Sequence, residues 1–292
     1  MSNKDTPFDK NTRPIHCGNK TIDFSKPKIM GVLNLTPDSF YDGGKFHQEK
    51  IRMEQTARML KEGADMIDIG AVSSRPGAEI PDEEEELRRI VWPLQRLIKE
   101  FPDAIFSIDT FRSKVARECI LSGAHIVNDI SGGNLDENMF ETVAELQVPY
   151  LLMHMHGTPE MMQQSPVAEN IIEMVRQFFK EKVAQLNTLG VEDIILDPGF
   201  GFGKTLKCNY MMLKNLEQLR IHDYPLLGGI SRKSMINKVI NTKASEALNG
   251  TTVLNAIALQ HGANILRVHD VKEAREVIEI VRFLEELGDC ST

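Results

Sequence analysis

The chain has 292 residues, 41% of them hydrophobic and 26% charged, with a net charge of −8. That composition suits a globular protein with a full core, and the negative balance argues against a nucleic-acid binder, which needs basic surface to displace phosphate counterions. The four cysteines (Cys17, Cys119, Cys208 and Cys290) make no CxxC pair, "MSNKDTPFDK" carries no apolar signal core, and no apolar run reaches bilayer-spanning length, so a cytoplasmic protein with reduced thiols is expected.

Beyond a polar leader (1–13), short apolar runs alternate with helical patterns. "KIMGVLNL" (28–35) precedes "EQTARMLKEG" (54–63), and "ADMIDIG" (64–70) precedes "EEELRRIVWPLQRLIKE" (84–100). "AIFSIDT" (104–110) is followed by a helix over 113–123, "AHIVNDI" (124–130) by one over 137–147, and "PYLLMHM" (149–155) by one within 168–189. "DIILDPG" (193–199), a helix over 209–220, "PLLGGIS" (225–231), helical material over 234–262, "NILRVHD" (264–270) and a helix over 272–288 complete the series. The runs are apolar throughout rather than alternating, as parallel strands buried on both faces are. Glycines in "EGAD", "SGAH", "TLGVED" and "HGAN" mark left-handed helix ends. Eight units in one unbroken pattern predict an α/β fold, a single (β/α)8 TIM barrel over 28–290 with a short N-terminal extension (1–27). A doubly wound sheet is the alternative, since alternation does not prove closure.

In a barrel of this kind the chemistry lies at the C-terminal strand ends. Here those ends carry Asn34, then Ser73, Ser74 and Arg75, then Asp109, Asn128, Asp129, His154, Asp197, Ser231 to Lys233, Arg267 and His269. Asp109, Asn128 and Asp197 offer acceptors and one amide donor, suited to a flat heterocycle bearing amino and ring N–H groups. Lys233, Arg267 and His269 supply positive charge for an anion. "DPGFGFGKT" (197–205) resembles a phosphate loop but has three residues, not four, between its first glycine and the Gly-Lys pair. Its glycines suit close approach of backbone to a planar ligand; Lys204 and Thr205 read as the start of the next loop. The acidic run "DEEEE" (82–86) reads as a solvated helix start, and His154 and His156 as hydrogen-bonded histidines rather than zinc ligands.

These motifs together resemble the dihydropteroate synthase family over residues 28–285. The matching segments are "GVLNLTPDSFYDGG" (31–44), "SSRPGA" (73–78), "SIDTFRSKVA" (107–116), "GAHIVNDISGG" (123–133), "LMHMHGTPEMMQ" (152–163), "DPGFGFGKT", "GGISRKSMI" (228–236) and "RVHDV" (267–271). The resemblance implies condensation of 4-aminobenzoate with 6-hydroxymethyl-7,8-dihydropterin diphosphate by a dissociative route. It implies a pterin site of Asp109, Asn128, Met153, Asp197, Phe202 and Lys233, and a diphosphate site of Asn34, Arg267 and His269, with Asn34 a ligand to Mg²⁺. It also implies an aminobenzoate site of Thr36, Pro37, Phe40, Ser74, Arg75, Pro76 and Ser234. Asp109, Lys233 and Arg267 are the implied catalytic residues, and a homodimer is implied, with 243–264 a candidate face. Family members commonly carry Gly-Glu-Ser-Thr-Arg-Pro-Gly where this chain has "AVSSRPG" (71–77), which bears on the aminobenzoate pocket and on sulfonamide sensitivity. Methyltetrahydrofolate-type methyltransferases share the barrel but are not expected to carry "TPDSF", "SSRPG" and "SRKS" together. A non-catalytic paralogue would be expected to lose Asn34, Arg75, Lys233 or Arg267, and all four are present.

Overall fold

Strands that are apolar on both faces need cover on both, and the chain provides it by closing its sheet into a ring with helices outside. In the computed structural model, which describes residues 12–35, 45–72, 80–158 and 166–287, the ring strands are β3 (Lys28–Asn34), β4 (Met66–Gly70), β5 (Phe106–Asp109), β6 (Ile126–Asp129), β7 (Tyr150–Met153), β8 (Ile194–Asp197), β9 (Leu227–Gly228) and β10 (Ile265–Val268). All pair in parallel, in the order β8-β7-β6-β5-β4-β3-β10-β9. A parallel bridge between Leu196 and Leu226, with the Leu196 N–H donating to the Pro225 carbonyl at 2.9 Å, joins the two ends. That closure excludes the doubly wound alternative.

Helices α1 (Lys45–Lys61), α2 (Glu83–Glu100), α3 (Ser113–Leu121), α4 (Met139–Leu146), α5 (Ile171–Thr188), α6 (Leu206–Lys214), α7 (Ser234–Ile240), α8 (Leu248–Gln260) and α9 (Val271–Glu286) cover the outside. Gly63, Gly123, Gly190 and Gly262 all take positive φ at the helix exits. One expected helix is broken, and one stretch of expected helical material resolves into two helices. The one over 209–220 is α6 followed by a separate 3-10 turn, Leu216–Leu219. The one over 234–262 divides because Asn241 turns left-handed (φ 52°) and ends α7, so α8 starts afresh.

Side-chain alternation along the strands separates two apolar layers. Ile29, Ile67, Val127 and Ile194 face the helices, whereas Met30, Met66, Ile126, Leu151, Ile195, Leu227 and Ile265 fill the barrel interior. Beneath that interior lies a hairpin that the sequence reading left unassigned, β1 (Ile15–Cys17) and β2 (Lys20–Ile22). Its Ile15, Cys17, Ile22 and the following Phe24 join the interior cluster and plug the N-terminal end of the barrel. Polar stitches hold the plug to the loops entering the strands. Arg13 pairs with Asp223 (2.9 Å), and Lys20 Nζ donates to the carbonyls of Pro102 and Ala104 (2.8 Å each). Among the described residues no helix is long and apolar enough to cross a membrane. Because Ile15 is fully buried, Ile15→Ala is expected to lower stability by about 2–5 kcal/mol, read by urea unfolding; a loss below about 1 kcal/mol would contradict the plug role.

Candidate active site

One inward step (two residues) beyond the apolar floor, the same strands turn polar. Met66 is followed on its face by Asp68, Ile126 by Asn128, Ile195 by Asp197 and Ile265 by Arg267. Floor and site are thus consecutive tiers of one side-chain ladder. Asp109 sits on the next tier of β5, beside the bare Cα of Gly70. Asp129 points the other way and accepts from the Tyr150 hydroxyl at 2.6 Å, so it belongs to the outer layer and not to the pocket.

The Arg267 guanidinium is the centre of the charge pattern. Its Nε donates to Asp68 Oδ2 (2.7 Å) and its Nη2 lies 2.6 Å from the same oxygen and 2.8 Å from Asp109 Oδ2. Nη1 has no hydrogen-bond partner among the described residues, which leaves two N–H groups for an anion. Burial lifts the Asp109 carboxyl to about 7, against the pull of Arg267 and with Asp68 adding to the rise. Burial also works against the Arg267 charge, yet Asp68 and Asp109 hold its pKa above the ordinary value. Asn128 Nδ2 donates to Asp68 Oδ2 at 3.0 Å. A carboxylate only accepts, so the amide is turned with its oxygen free. The sequence reading counted Asn128 as a possible donor to the ligand; one amide hydrogen is taken by Asp68, which leaves the second hydrogen and the oxygen for a ligand.

Across the barrel, Asp197 Oδ1 accepts from the Gly199 N–H at 2.7 Å. Burial raises its pKa, opposed first by Lys233, while burial lowers Lys233 to about 8, opposed first by Asp197. The Lys233 ammonium lies 4.9 Å from the centroid of the Phe202 ring. Its neighbour Arg232 faces away and pairs with both oxygens of Asp270 (2.8 and 2.7 Å). Met153 is buried at the end of β7. His269 is kept neutral, its pKa lowered to about 4 by burial and then by Arg267, with Ser231 Oγ 3.0 Å from its Nδ1. Asn34 is exposed at the mouth end of β3, and Ser234, also exposed, begins α7.

The glycine-rich loop also packs against the protein's own backbone. A Cβ on Gly199 or on Gly203 would collide with the backbone carbonyl of His154 or of His156, respectively. These glycines therefore let two stretches of the protein's own backbone meet, and only Phe202 presents a side chain beside Lys233. Phe200 is buried in the outer core. Lys204 lies beneath, its Nζ donating to the carbonyls of His154 (2.9 Å), Gly199 (2.8 Å) and Phe202 (2.9 Å). A lysine committed to three carbonyls has no hydrogen left for a phosphate, which disposes of the phosphate-loop reading.

For a divalent cation, the described residues hold no cluster of three or more His, Cys, Asp or Glu side chains. Formal charges at and just below the mouth, Asp68, Asp109 and Asp197 against Arg267 and Lys233, sum to a deficit of positive charge for a diphosphate. A neutral amide oxygen such as that of Asn34 fits a Mg²⁺ ion that takes its other ligands from diphosphate and water. Thr36, Pro37, Phe40, Ser74, Arg75 and Pro76 lie outside the described residues. The structure brings the remaining expected residues, Asn34, Asp109, Asn128, Met153, Asp197, Phe202, Lys233, Ser234, Arg267 and His269, to one end of the barrel.

The chain's residues 30–269 match the family model described as "Pterin binding enzyme". It is 41% identical over 263 residues to the dihydropteroate synthase of Escherichia coli (strain K12), covering 89% of this chain and 93% of that one. A crystal structure of Yersinia pestis dihydropteroate synthase with a sulfonamide drug complex superposes with a TM-score of 0.87 at 39% identity, covering 94% of this chain and 100% of that one. The Xanthomonas albilineans dihydropteroate synthase with 4-aminobenzoic acid gives a TM-score of 0.87 at 32% identity, over 94% and 98%. The chain belongs to the dihydropteroate synthase family of pterin-binding enzymes.

Within that family frame, three residues escaped the sequence reading. Asp68 was passed over because only strand ends were searched, although the second acid of "ADMIDIG", flanked by isoleucines, was the available signal. Glu86, taken as part of a solvated acidic run, is fully buried. It accepts from Thr110 Oγ1 at 2.6 Å and pairs with Arg112, whose Nη2 holds the Pro81 carbonyl at 2.7 Å. The helix-start reading stands for its neighbours Glu83 and Glu84, which meet Lys114. Lys204, set aside as a loop residue, supports the whole glycine-rich turn. Lys204→Met is expected to cost about 3 kcal/mol or more, because three buried carbonyls lose their donor; denaturant unfolding with a loss under about 1 kcal/mol would remove that role.

Proposed function

We propose that the chain condenses 4-aminobenzoate with 6-hydroxymethyl-7,8-dihydropterin diphosphate to give 7,8-dihydropteroate and pyrophosphate. The observation that carries this reading is the 2.8 Å contact of Arg267 with Asp109, a guanidinium beside a carboxylate, which suits a leaving anion and a developing cation respectively. Asp197 and Asn128 Oδ1 supply acceptors for the amino and ring N–H groups of the pterin, and Lys233 donates to its carbonyl edge. Ser234, with the loop motifs "TPDSF" and "SSRPG" that lie outside the described residues, is assigned to the arylamine on the family resemblance alone.

The route is dissociative. The C–O bond breaks with its electron pair going to the diphosphate, and the pterin methylene becomes an electron-poor centre delocalised over the ring. The arylamine nitrogen then forms the new C–N bond and gives up a proton to solvent or to the departing pyrophosphate. Ionised Asp109 stabilises the positive charge as it appears, so it favours the transition state over the ground state. Arg267 and neutral His269 hold the leaving group in line. Mg²⁺, when bound through Asn34 together with diphosphate oxygens and waters, would supply further charge to the leaving group.

In its favour against a methyltransferase, "TPDSF", "SSRPG" and "SRKS" occur together. A cytoplasmic homodimer is part of the proposal, supported by three buried free cysteines and by the exposed Val253 on α8 with Ile280, Phe283 and Leu284 on α9.

The test is pyrophosphate release from the pterin diphosphate with and without 4-aminobenzoate; release that never yields dihydropteroate sinks the reading. Asp109→Asn is expected to cut turnover by more than about tenfold. Wild-type turnover should rise with pH through about 7 as the Asp109 carboxyl ionises, and the variant should lose that limb. Near wild-type turnover in the variant would remove Asp109 from the mechanism. Arg267→Lys, which keeps the charge and loses the planar fork, should weaken binding of the pterin diphosphate by about tenfold and plain pterin much less; titration showing equal losses would contradict the leaving-group role.

A further inference from the structure

Asp68 is fully buried on β4, one tier below the mouth, with no exposed surface to offer a ligand. All three of its hydrogen-bonding contacts converge on a single oxygen, Oδ2: Arg267 Nε at 2.7 Å, Arg267 Nη2 at 2.6 Å and Asn128 Nδ2 at 3.0 Å. Oδ1 has no partner among the described residues. A guanidinium free to choose pairs both of its parallel N–H groups with both oxygens of one carboxylate. Here Arg267 is instead strung between two acids, sharing Nη2 between Asp68 and Asp109 and leaving Nη1 unclaimed among the described residues. The arrangement holds the guanidinium in one orientation at the expense of an evenly satisfied ion pair.

We propose that Asp68 is a positioning residue for the transfer reaction: its Oδ2 fixes the Arg267 guanidinium that meets the leaving group, and turns the Asn128 oxygen toward the heterocycle. This rests on the synthase reading given above. Groups that stabilise a transition state act best when already aligned, because no reorganisation is then needed as the bond breaks. Asp68 does this from behind its partners, as outer carboxylates do for metal-binding histidines. A neutral amide at position 68 would keep the shape, lose the charge, and present only one accepting oxygen.

The experiment is a kinetic cycle of wild type, Asp68→Asn, Arg267→Lys and the double variant, assayed for dihydropteroate formation. Asp68→Asn is expected to lower kcat at least about tenfold, the scale of hydrogen bonds to charged groups. The KM for 4-aminobenzoate should stay within about twofold, since no arylamine contact is altered. In the Arg267→Lys background the same substitution should cost about threefold or less, the remainder being its effect on Asn128. Equal losses in both backgrounds, or a loss carried by the 4-aminobenzoate KM, would overturn the proposal. If Asp68→Asn does not fold, Asp68→Ser goes through the same cycle. Failure of both to fold while Arg267→Lys folds would make Asp68 a stability residue and also overturn it. Wild type that forms no dihydropteroate sinks the synthase reading on its own. In that event calorimetry with inorganic pyrophosphate on the same four proteins still reads the Asp68–Arg267 coupling, a non-additive change supporting it and an additive one removing it.

Discussion

Inside the barrel mouth the Arg267 guanidinium lies 2.6 Å from Asp68 and 2.8 Å from Asp109, and what the pocket can hold follows from those contacts. Two carboxylates so close in a low-dielectric interior repel each other, and the guanidinium between them makes the pair tolerable. It also divides their work. The deeper acid, sealed from solvent, has no surface to offer a ligand. The shallower one stands at the mouth with its carboxyl lifted to about 7, close enough to neutral pH for its charge to respond to what binds beside it. Asn128 takes its orientation from the deeper acid, so three polar groups of the mouth, from β5, β6 and β10, are linked to one residue of β4.

That polar tier stands on a dry floor. The interior apolar cluster, capped by the N-terminal hairpin, excludes water from beneath the charges, and electrostatic contacts strengthen where water is absent. The glycine-rich turn adds a second support from the side. Gly199 and Gly203 bring it against the chain leaving β7, and the Lys204 ammonium ties three carbonyls together beneath it. Asp197, at the start of this turn, is held by the Gly199 N–H, so local backbone positions this acid opposite Lys233.

The Glu86–Arg112 pair extends the same logic to the mouth. Glu86, buried in the first turn of α2, steadies the Arg112 side chain that grips the Pro81 carbonyl. The Pro81 carbonyl, just ahead of α2, is thereby held in place.

Much of the architecture was legible in the chain itself. Eight apolar runs separated by helical patterns are a local property, as are the glycine helix ends, and the polar residues closing each run stood out because a parallel strand should be apolar to its end. The position of Asp109, Asn128, Asp197, Lys233 and Arg267 at a common mouth followed from the parallel arrangement alone. What the sequence could not decide depends on which residues meet across the ring. Closure rests on Leu196 and Leu226, which are thirty residues apart in number. The depth of Asp68, the burial of Glu86 inside an acidic run, and the direction of the Asn128 amide all depend on partners that lie on other strands or helices. Periodicity assigns a side chain to a face. Only the assembled barrel decides which charge that face meets, because ion pairing and hydrogen-bond direction are set by distance in space and not by spacing in the chain.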